Sequence, residues 1–146
     1  MPTEKYQAYI NRGTVLTTEL NSLANNANSV VGPAYDNSAN RDRYAVAVLN
    51  LAAITAPADG ATVELFAMPA LDGTNYMDGG GAADPSGFTY LGTFILRPVA
   101  TAQVVLSQRF ELLPCVMKFL LRNMTGQTFL STGTTVKIFT TNREIV

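Results

Sequence analysis

The acidic residues of one glycine-rich segment are the first candidates for chemistry. Asp72, Asp78 and Asp84 lie in the stretch 71–88, with Asn75 between the first two. Calcium takes several oxygen ligands from a flexible loop, so these residue types are suitable ligands. The spacing matches no established calcium loop, because the alternating carboxylates and the closing glutamate of the EF-hand are missing. Asp-Gly and Asp-Pro pairs also favour turns, and we therefore expect no metal site and no cofactor.

Two glutamates and one cysteine are the remaining candidates for catalysis. A glycoside hydrolase needs two carboxyl groups that face one substrate, and Glu64 and Glu111 could supply them. Both lie in alternating, strand-like segments, where a carboxylate facing solvent is the more ordinary role. Cys115 begins an apolar run and is expected to be a small buried residue. Because the chain also has no histidine to activate a serine or threonine, the sequence predicts a protein that is not an enzyme.

The composition limits the class of protein and its partners. The 146 residues suit one domain, and only 14% of them are charged, against roughly 25% in average domains. We expect neighbouring subunits to cover part of so weakly charged a surface. The net charge of −1 and the scattered basic residues argue against nucleic-acid binding. No stretch reaches the roughly 20 apolar residues of a membrane span, and the N-terminus lacks a secretion-signal pattern, which predicts a cytoplasmic product.

Most of the chain from residue 43 onward consists of strand-like runs. Any functional site must therefore be positioned by strands and the turns between them. The predicted strands are 43–54, 62–68, 89–97, 103–112, 115–123 and 134–141. In most of them apolar and polar residues alternate, which buries one face of a sheet and leaves the other for water or a partner. The run 43–54 is apolar on both faces, so we expect it to be covered on both sides. Pro69 is expected to end the second strand.

Short strands at this spacing, with glycine and proline turns, predict an all-β fold. The architecture we expect is an antiparallel β-sandwich of the jelly-roll kind over residues 41–146. The first forty residues differ from this pattern and predict an N-terminal arm over 1–40. The run 19–28 predicts a short helix in that arm, although its asparagines weaken it. We expect the arm to be partly ordered and to gain structure by docking on a partner.

The glycine-rich stretch 71–88 predicts a long surface loop. Loops longer than about 12–15 residues in compact domains are usually functional or disordered. Tyr76 and Met77 near its middle are apolar anchors that a solvated loop would not need. We therefore predict that this loop and the arm make most contacts between subunits. The candidate interface residues are Tyr6, Tyr9, Ile10, Leu16, Leu20, Leu23, Tyr35, Tyr76 and Met77.

Three parts of the sequence resemble the small structural proteins of tailed-bacteriophage virions, in particular those that decorate or cement the head. They are 16–25, 63–76, and 121–127 together with 137–142. The resemblance implies a compact β domain on the capsid surface that bridges adjacent copies of the major capsid protein through arms and loops. It also implies synthesis in the bacterial host cytoplasm, self-association with a trimer as one form, and no catalytic residues.

Two other functions stay open from the sequence. A tail or connector component of the virion would be equally rich in strands and equally without catalytic groups, and copy number per particle would separate it from a decoration protein. A carbohydrate-binding β-sandwich would stack sugar rings on exposed aromatic faces. The chain has no tryptophan, so Tyr35, Tyr76 and Tyr90 would have to serve that purpose.

Overall fold

The computed structural model describes residues 1–145, apart from the side chain of Phe88. Val146, the last residue of the predicted sandwich domain, lies outside the described residues. The strands are β1 (Glu4–Tyr6), β2 (Ile10–Leu16), β3 (Tyr35–Asp36), β4 (Tyr44–Leu51), β5 (Thr62–Ala70), β6 (Tyr90–Ile95), β7 (Gln103–Leu106), β8 (Phe110–Glu111), β9 (Val116–Met124), β10 (Thr135–Thr141) and β11 (Arg143–Ile145). The predicted all-β class is confirmed.

Two antiparallel sheets form the body of the molecule. The first has the strand order β2-β10-β4-β7, with β8 pairing beside β4, and the second has the order β3-β9-β5-β6. Strands from the two halves of the chain interleave within each sheet, which is the topology of a jelly roll. The predicted antiparallel sandwich is therefore confirmed. A separate two-stranded sheet, β1 with β11, joins the two ends of the described chain.

The core lies between the two sheets and follows the two-residue period of the strands. In β4, every second residue from Ala45 to Leu51 is buried. Phe119 and Leu121 of β9 point inward in the same way and are fully buried. Burying one such leucine or phenylalanine stabilises the fold by about 1.5–3 kcal/mol. The inward rows of the two sheets therefore hold the sandwich together.

Part of the segment 1–40, predicted as an arm, pairs with the sandwich. β2 pairs with β10 at the edge of the first sheet, and Leu16 at its end is 1% exposed. A single 3-10 turn, Thr18–Leu20, replaces the predicted helix over 19–28. Beyond that turn the main chain bonds to the second sheet instead, as in the 2.8 Å bond from the Ser29 N–H to a β9 carbonyl.

Two strand boundaries also differ from the prediction. Pro69 lies inside β5, opposite Met117, and does not end it. The Pro69 carbonyl accepts the Met77 N–H at 3.2 Å, so the proline nitrogen faces the loop and no ladder bond is lost. The predicted strand 103–112 is divided into β7 and β8, because Arg109 and the residue before it bulge away from β4.

Candidate interaction surface

The loop 71–88 folds back over the outer face of the second sheet. Tyr76 is partly buried there against a small cluster that includes Phe66 and Leu120. The Lys118 ammonium lies 4.3 Å from the centroid of the Tyr76 ring, close enough for a cation–π contact. The loop therefore covers this chain's own sheet, and its apolar anchor is already engaged.

Arg122 binds the same loop at a second position, Asp84. Nη2 of Arg122 lies 2.6 Å from Oδ1 of Asp84, and Nδ2 of Asn28 donates to the same oxygen at 2.9 Å. The bond from Asn28 and the charge of Arg122 lower the pKa of Asp84. Arg122 also lies 3.8 Å from Glu64 on the neighbouring strand. These contacts tie the loop to strands β5 and β9.

Two of the three aspartates considered as calcium ligands, Asp72 and Asp84, have partners within the protein. Asp72 accepts the N–H groups of Thr74 and Asn75 at 2.9 and 2.8 Å. The backbone bond from Asn75 leads the effects that lower the pKa of Asp72 to about 2. Among the described residues, no group of three or more His, Cys, Asp or Glu side chains is placed to hold a metal ion.

The residues considered for catalysis do not form a common site. Glu64 lies in the second sheet beside Arg122, whereas Glu111 lies in the first sheet, 3.8 Å from Arg43. Cys115 is buried, as expected, and burial raises the pKa of its thiol. A raised pKa keeps the sulfur protonated at neutral pH, where it is a poor nucleophile.

Within the described chain, the outer face of the first sheet is left uncovered. Val46 and Val48 point outward from β4 and are only half-buried. Phe139 of β10 lies opposite Val46, and Leu106 of β7 lies opposite Val48. With Tyr9 these four residues line a shallow depression of about 450 Å³.

The same face continues to the end of the sheet. Val104 of β7, opposite Asn50 of β4, extends it towards the sheet edge. Val104 and Leu106 are 73% and 64% exposed, which is unusual for apolar residues so close together. We call the outward surface of Tyr9, Val46, Val48, Val104, Leu106 and Phe139 the open face.

Arginines stack on tyrosines at one end of the open face. The guanidinium carbons of Arg43 and Arg109 lie 5.3 and 4.8 Å from the centroid of the Tyr44 ring. That of Arg143 lies 5.8 Å from Tyr44 and 5.2 Å from Tyr6. Stacking of this kind leaves the guanidinium edges available to bind other groups. We call Arg43, Arg109 and Arg143 the arginine cluster.

Tyr6 connects the terminal sheet to this cluster. Its hydroxyl oxygen accepts Nε–H and Nη2–H of Arg143 at 3.1 and 2.8 Å. Hydrogen bonds from Arg109 and then Arg143 lower the pKa of Tyr6. Because Tyr6 lies on β1 and Arg143 on β11, the contact fixes both ends of the described chain beside β4 and β8.

The arginine cluster carries a local excess of positive charge. Arg43 lies 3.8 Å from Glu111, and Arg143 lies 3.3 Å from Glu4. Arg109 has no carboxylate within ion-pair distance among residues 1–145. Three arginines thus face two glutamates, and the positive charge of Arg109 is uncompensated, although the whole chain has a net charge of −1.

Four of the nine predicted interface residues pack inside the molecule. Leu16, Leu20 and Leu23 belong to the core and are 1%, 0% and 7% exposed. Their predicted role as contact residues stays a prediction, and it would require them to leave the core to reach a partner. Tyr35 packs edge-on against Phe119, with ring centroids 5.8 Å apart, because β3 places it at the rim of the core.

The other five differ in their surroundings. Tyr76 is covered as described above, and Met77 beside it is 42% exposed. Tyr6, Tyr9 and Ile10 are 48%, 51% and 46% exposed and lie near the first sheet. Of these, Tyr9 lines the open face and Tyr6 joins the arginine cluster. The structure therefore places part of the predicted interface at this surface, where contact with a partner stays a prediction.

The chain matches no protein-family model and no curated protein. No helix among the described residues is long and apolar enough to cross a bilayer. Fold and surface therefore define the class of protein as a jelly-roll domain. Its own loop 71–88 covers the outer face of the second sheet, and the apolar outer face of the first sheet stays uncovered among the described residues.

Proposed function

We propose that this protein is a non-enzymatic structural protein of a virion that attaches to the capsid and bridges adjacent copies of the major capsid protein. The observation that carries the proposal is the open face, an apolar surface on a regular sheet that the chain does not cover. Contiguous exposed apolar surfaces of this kind mark interaction sites. The sequence resemblance to phage head proteins is the reason for proposing the capsid as the partner.

The fold is compatible with this role but does not select it. Jelly rolls occur in viral capsid proteins, in lectins and in cupins, and a fold alone does not imply a function. The lack of histidine and the engagement of Glu64 and Glu111 by arginines favour binding over catalysis. Carbohydrate binding has less support, because Tyr35 and Tyr76 pack against Phe119 and Lys118, and of the three candidate tyrosines only Tyr90 is exposed, at 46%.

The proposed attachment surface differs from the one that the sequence suggested. Tyr76 of loop 71–88 and the segments 10–16 and 26–32 pack on the chain's own sheets, so these parts are less available to a partner. The open face, with Tyr9 at its margin, takes their place. Self-association, including a trimer, stays a prediction from the resemblance.

Copy number tests this function directly. Particles are purified from the organism that makes the protein, and gel densitometry compares the protein with the major capsid protein. A decoration protein is present in numbers similar to those of the shell subunits, whereas a tail or connector component is present in far fewer copies. Absence of the protein from the particles would contradict the proposal.

A further inference from the structure

Strand β7 ends the first sheet, and its outer edge carries no further strand within the described chain. The Ser107 N–H donates to the Ala47 carbonyl at 2.9 Å, which makes this a hydrogen-bonded pair. Because such pairs alternate along an antiparallel ladder, the main-chain groups of Val104 and Leu106 point away from β4. Open main-chain groups on an edge strand can pair with another extended segment.

β7 lacks two of the features by which natural edge strands avoid such pairing. Its sequence, Gln-Val-Val-Leu, contains neither a charge nor a proline. It pairs with β4 in regular register from Gln103 to Leu106, and the bulge lies beyond its end. The strand is short, which limits a paired segment to a few residues. A short, regular edge without charge or proline therefore lies directly beside the exposed side chains of the open face.

The charges along this edge indicate what could pair with it. Arg109 follows β7 at the bulge, and its guanidinium lies over the Tyr44 ring at the end of the open face, without an ion-pair partner among residues 1–145. Residues 97–110 contain no carboxylate, and the next one, Glu111, lies 3.8 Å from Arg43. β7 itself is uncharged, so a second copy of it would bring no carboxylate to pair with Arg109. The edge is complementary to a segment that is apolar along β7 and acidic next to Arg109.

We propose that the β7 edge and the adjoining open face bind an extended acidic and apolar segment of a partner protein. The segment adds a strand beside β7, with apolar side chains on Val104 and Leu106 and a carboxylate beside Arg109. This inference rests on the proposed function, because it assigns the partner segment to an attachment partner such as a capsid subunit.

The experiment uses the full chain, labelled with ¹⁵N, and two synthetic peptides of equal length. Both carry alternating valine and threonine, and one ends in two glutamates where the other ends in two lysines. In an NMR titration the acidic peptide should shift the amides of Val104, Leu106 and Arg109. We expect it to bind about tenfold more tightly than the basic peptide, with an affinity that falls as salt is added.

Matched variants distinguish specific binding at the β7 edge from nonspecific binding elsewhere on the protein. Leu106→Asp removes an apolar contact and places a negative charge beside Arg109, and should abolish binding of the acidic peptide. Val30→Asp changes a valine that is 59% exposed away from β7 and should bind like the wild type. Arg109→Glu should reverse the preference between the two peptides. An unchanged spectrum outside the substituted strand confirms the fold of each variant.

The outcomes keep this inference apart from the proposed function. Equal binding of both peptides, or binding of the acidic peptide that Leu106→Asp does not weaken, would overturn the inference. A wild-type chain that dimerises in sedimentation, and that Leu106→Asp makes monomeric, would overturn it in favour of a second copy. If the acidic peptide binds as described but the protein is absent from virions, the binding surface stands and the virion function fails.

Discussion

The guanidinium of Arg12 holds the carboxylate of Asp42 at two points. Nε lies 2.7 Å from Oδ2, and Nη2 lies 3.0 Å from Oδ1. Oδ2 also accepts the hydroxyl of Thr140 at 2.8 Å, and Asp42 is only 3% exposed. The pair joins β2 to the start of β4 and to β10. The N-terminal strand is thus fixed into the first sheet by charge as well as by main-chain pairing.

Acid should weaken this connection. Burial raises the pKa of Asp42, but the bonds from Arg12 and Thr140 and the charge of Arg12 outweigh it, and the net pKa is lowered. A carboxyl whose pKa is lower in the folded state stabilises the fold above its unfolded pKa of about 3.9. That contribution should be lost as the pH falls through the folded-state pKa. Chemical denaturation from pH 7 down to about pH 2 measures it.

Asp42→Asn should be less stable at pH 7 and less sensitive to acid. We expect a loss of about 3 kcal/mol, at the low end for a broken buried pair because Arg12 is 24% exposed. Asp59→Asn removes an exposed carboxylate and should leave stability within about 0.5 kcal/mol of the wild type. An Asp42→Asn variant as stable as the wild type at pH 7 would refute this account of the pair.

Tyr35→Phe should cost no stability. The Tyr35 hydroxyl is buried and has no hydrogen-bond partner in the part of the chain that is described, while its ring contact with Phe119 needs no hydroxyl. Since an unsatisfied buried polar group costs about 1–3 kcal/mol, removing it should leave the free energy of unfolding equal or raise it by about 1 kcal/mol. Urea denaturation at neutral pH gives the value, and a clear loss would reveal a hidden partner for the hydroxyl.

Leu20→Ala should destabilise the isolated protein by about 2–5 kcal/mol, because Leu20 is a fully buried core residue. Tyr9→Ala, a change on the exposed open face, should cost less than about 1 kcal/mol. Thermal unfolding of the two purified variants makes the comparison. Equal and small losses would mean that the N-terminal segment is an arm after all.

Gly32→Ala should also destabilise the fold. A Cβ on Gly32 would clash with the carbonyl oxygen of Val15 and would lie 2.8 Å from Cδ2 of Leu16. Overpacking of this kind typically costs about 1–3 kcal/mol. Gly87→Ala is the matched control, since a Cβ there meets no atom within 4 Å. The prediction fails if calorimetry finds the same melting temperature for both variants.

The strands from β5 to β10 could be predicted because most of their side chains alternate, and β4 because it lies in a long apolar, β-prone run. β2 gave no such pattern, because it pairs with β10 through two register shifts and contains Gly13 in a left-handed conformation with φ of 98°. The helix over 19–28 was predicted from its apolar spacing. It does not form because hydrogen bonds to the second sheet, which local sequence does not reveal, replace those of a helix.

The candidate site was only partly predictable for a similar reason. The doubly apolar run 43–54 already indicated that Val46 and Val48 need a cover on the outer side. The arginine cluster could not be foreseen, because Tyr6, Tyr44 and Arg143 are far apart in the sequence and meet only through β1, β4 and β11. Similarly, the sequence does not show that loop 71–88 packs on the chain's own second sheet, because that packing depends on the ion pair between Asp84 and Arg122.

The central claim is that the open face attaches this protein to a larger particle. Val48→Glu tests it, because Lys137 lies directly opposite Val48 in register and can compensate the new charge within the folded chain. Val30→Glu is the control on a different surface. Each variant is mixed with virions stripped of the protein, and cosedimentation measures the bound fraction. We expect Val30→Glu to bind like the wild type and Val48→Glu not to bind, whereas equal binding of both variants would show that the open face is not the attachment surface.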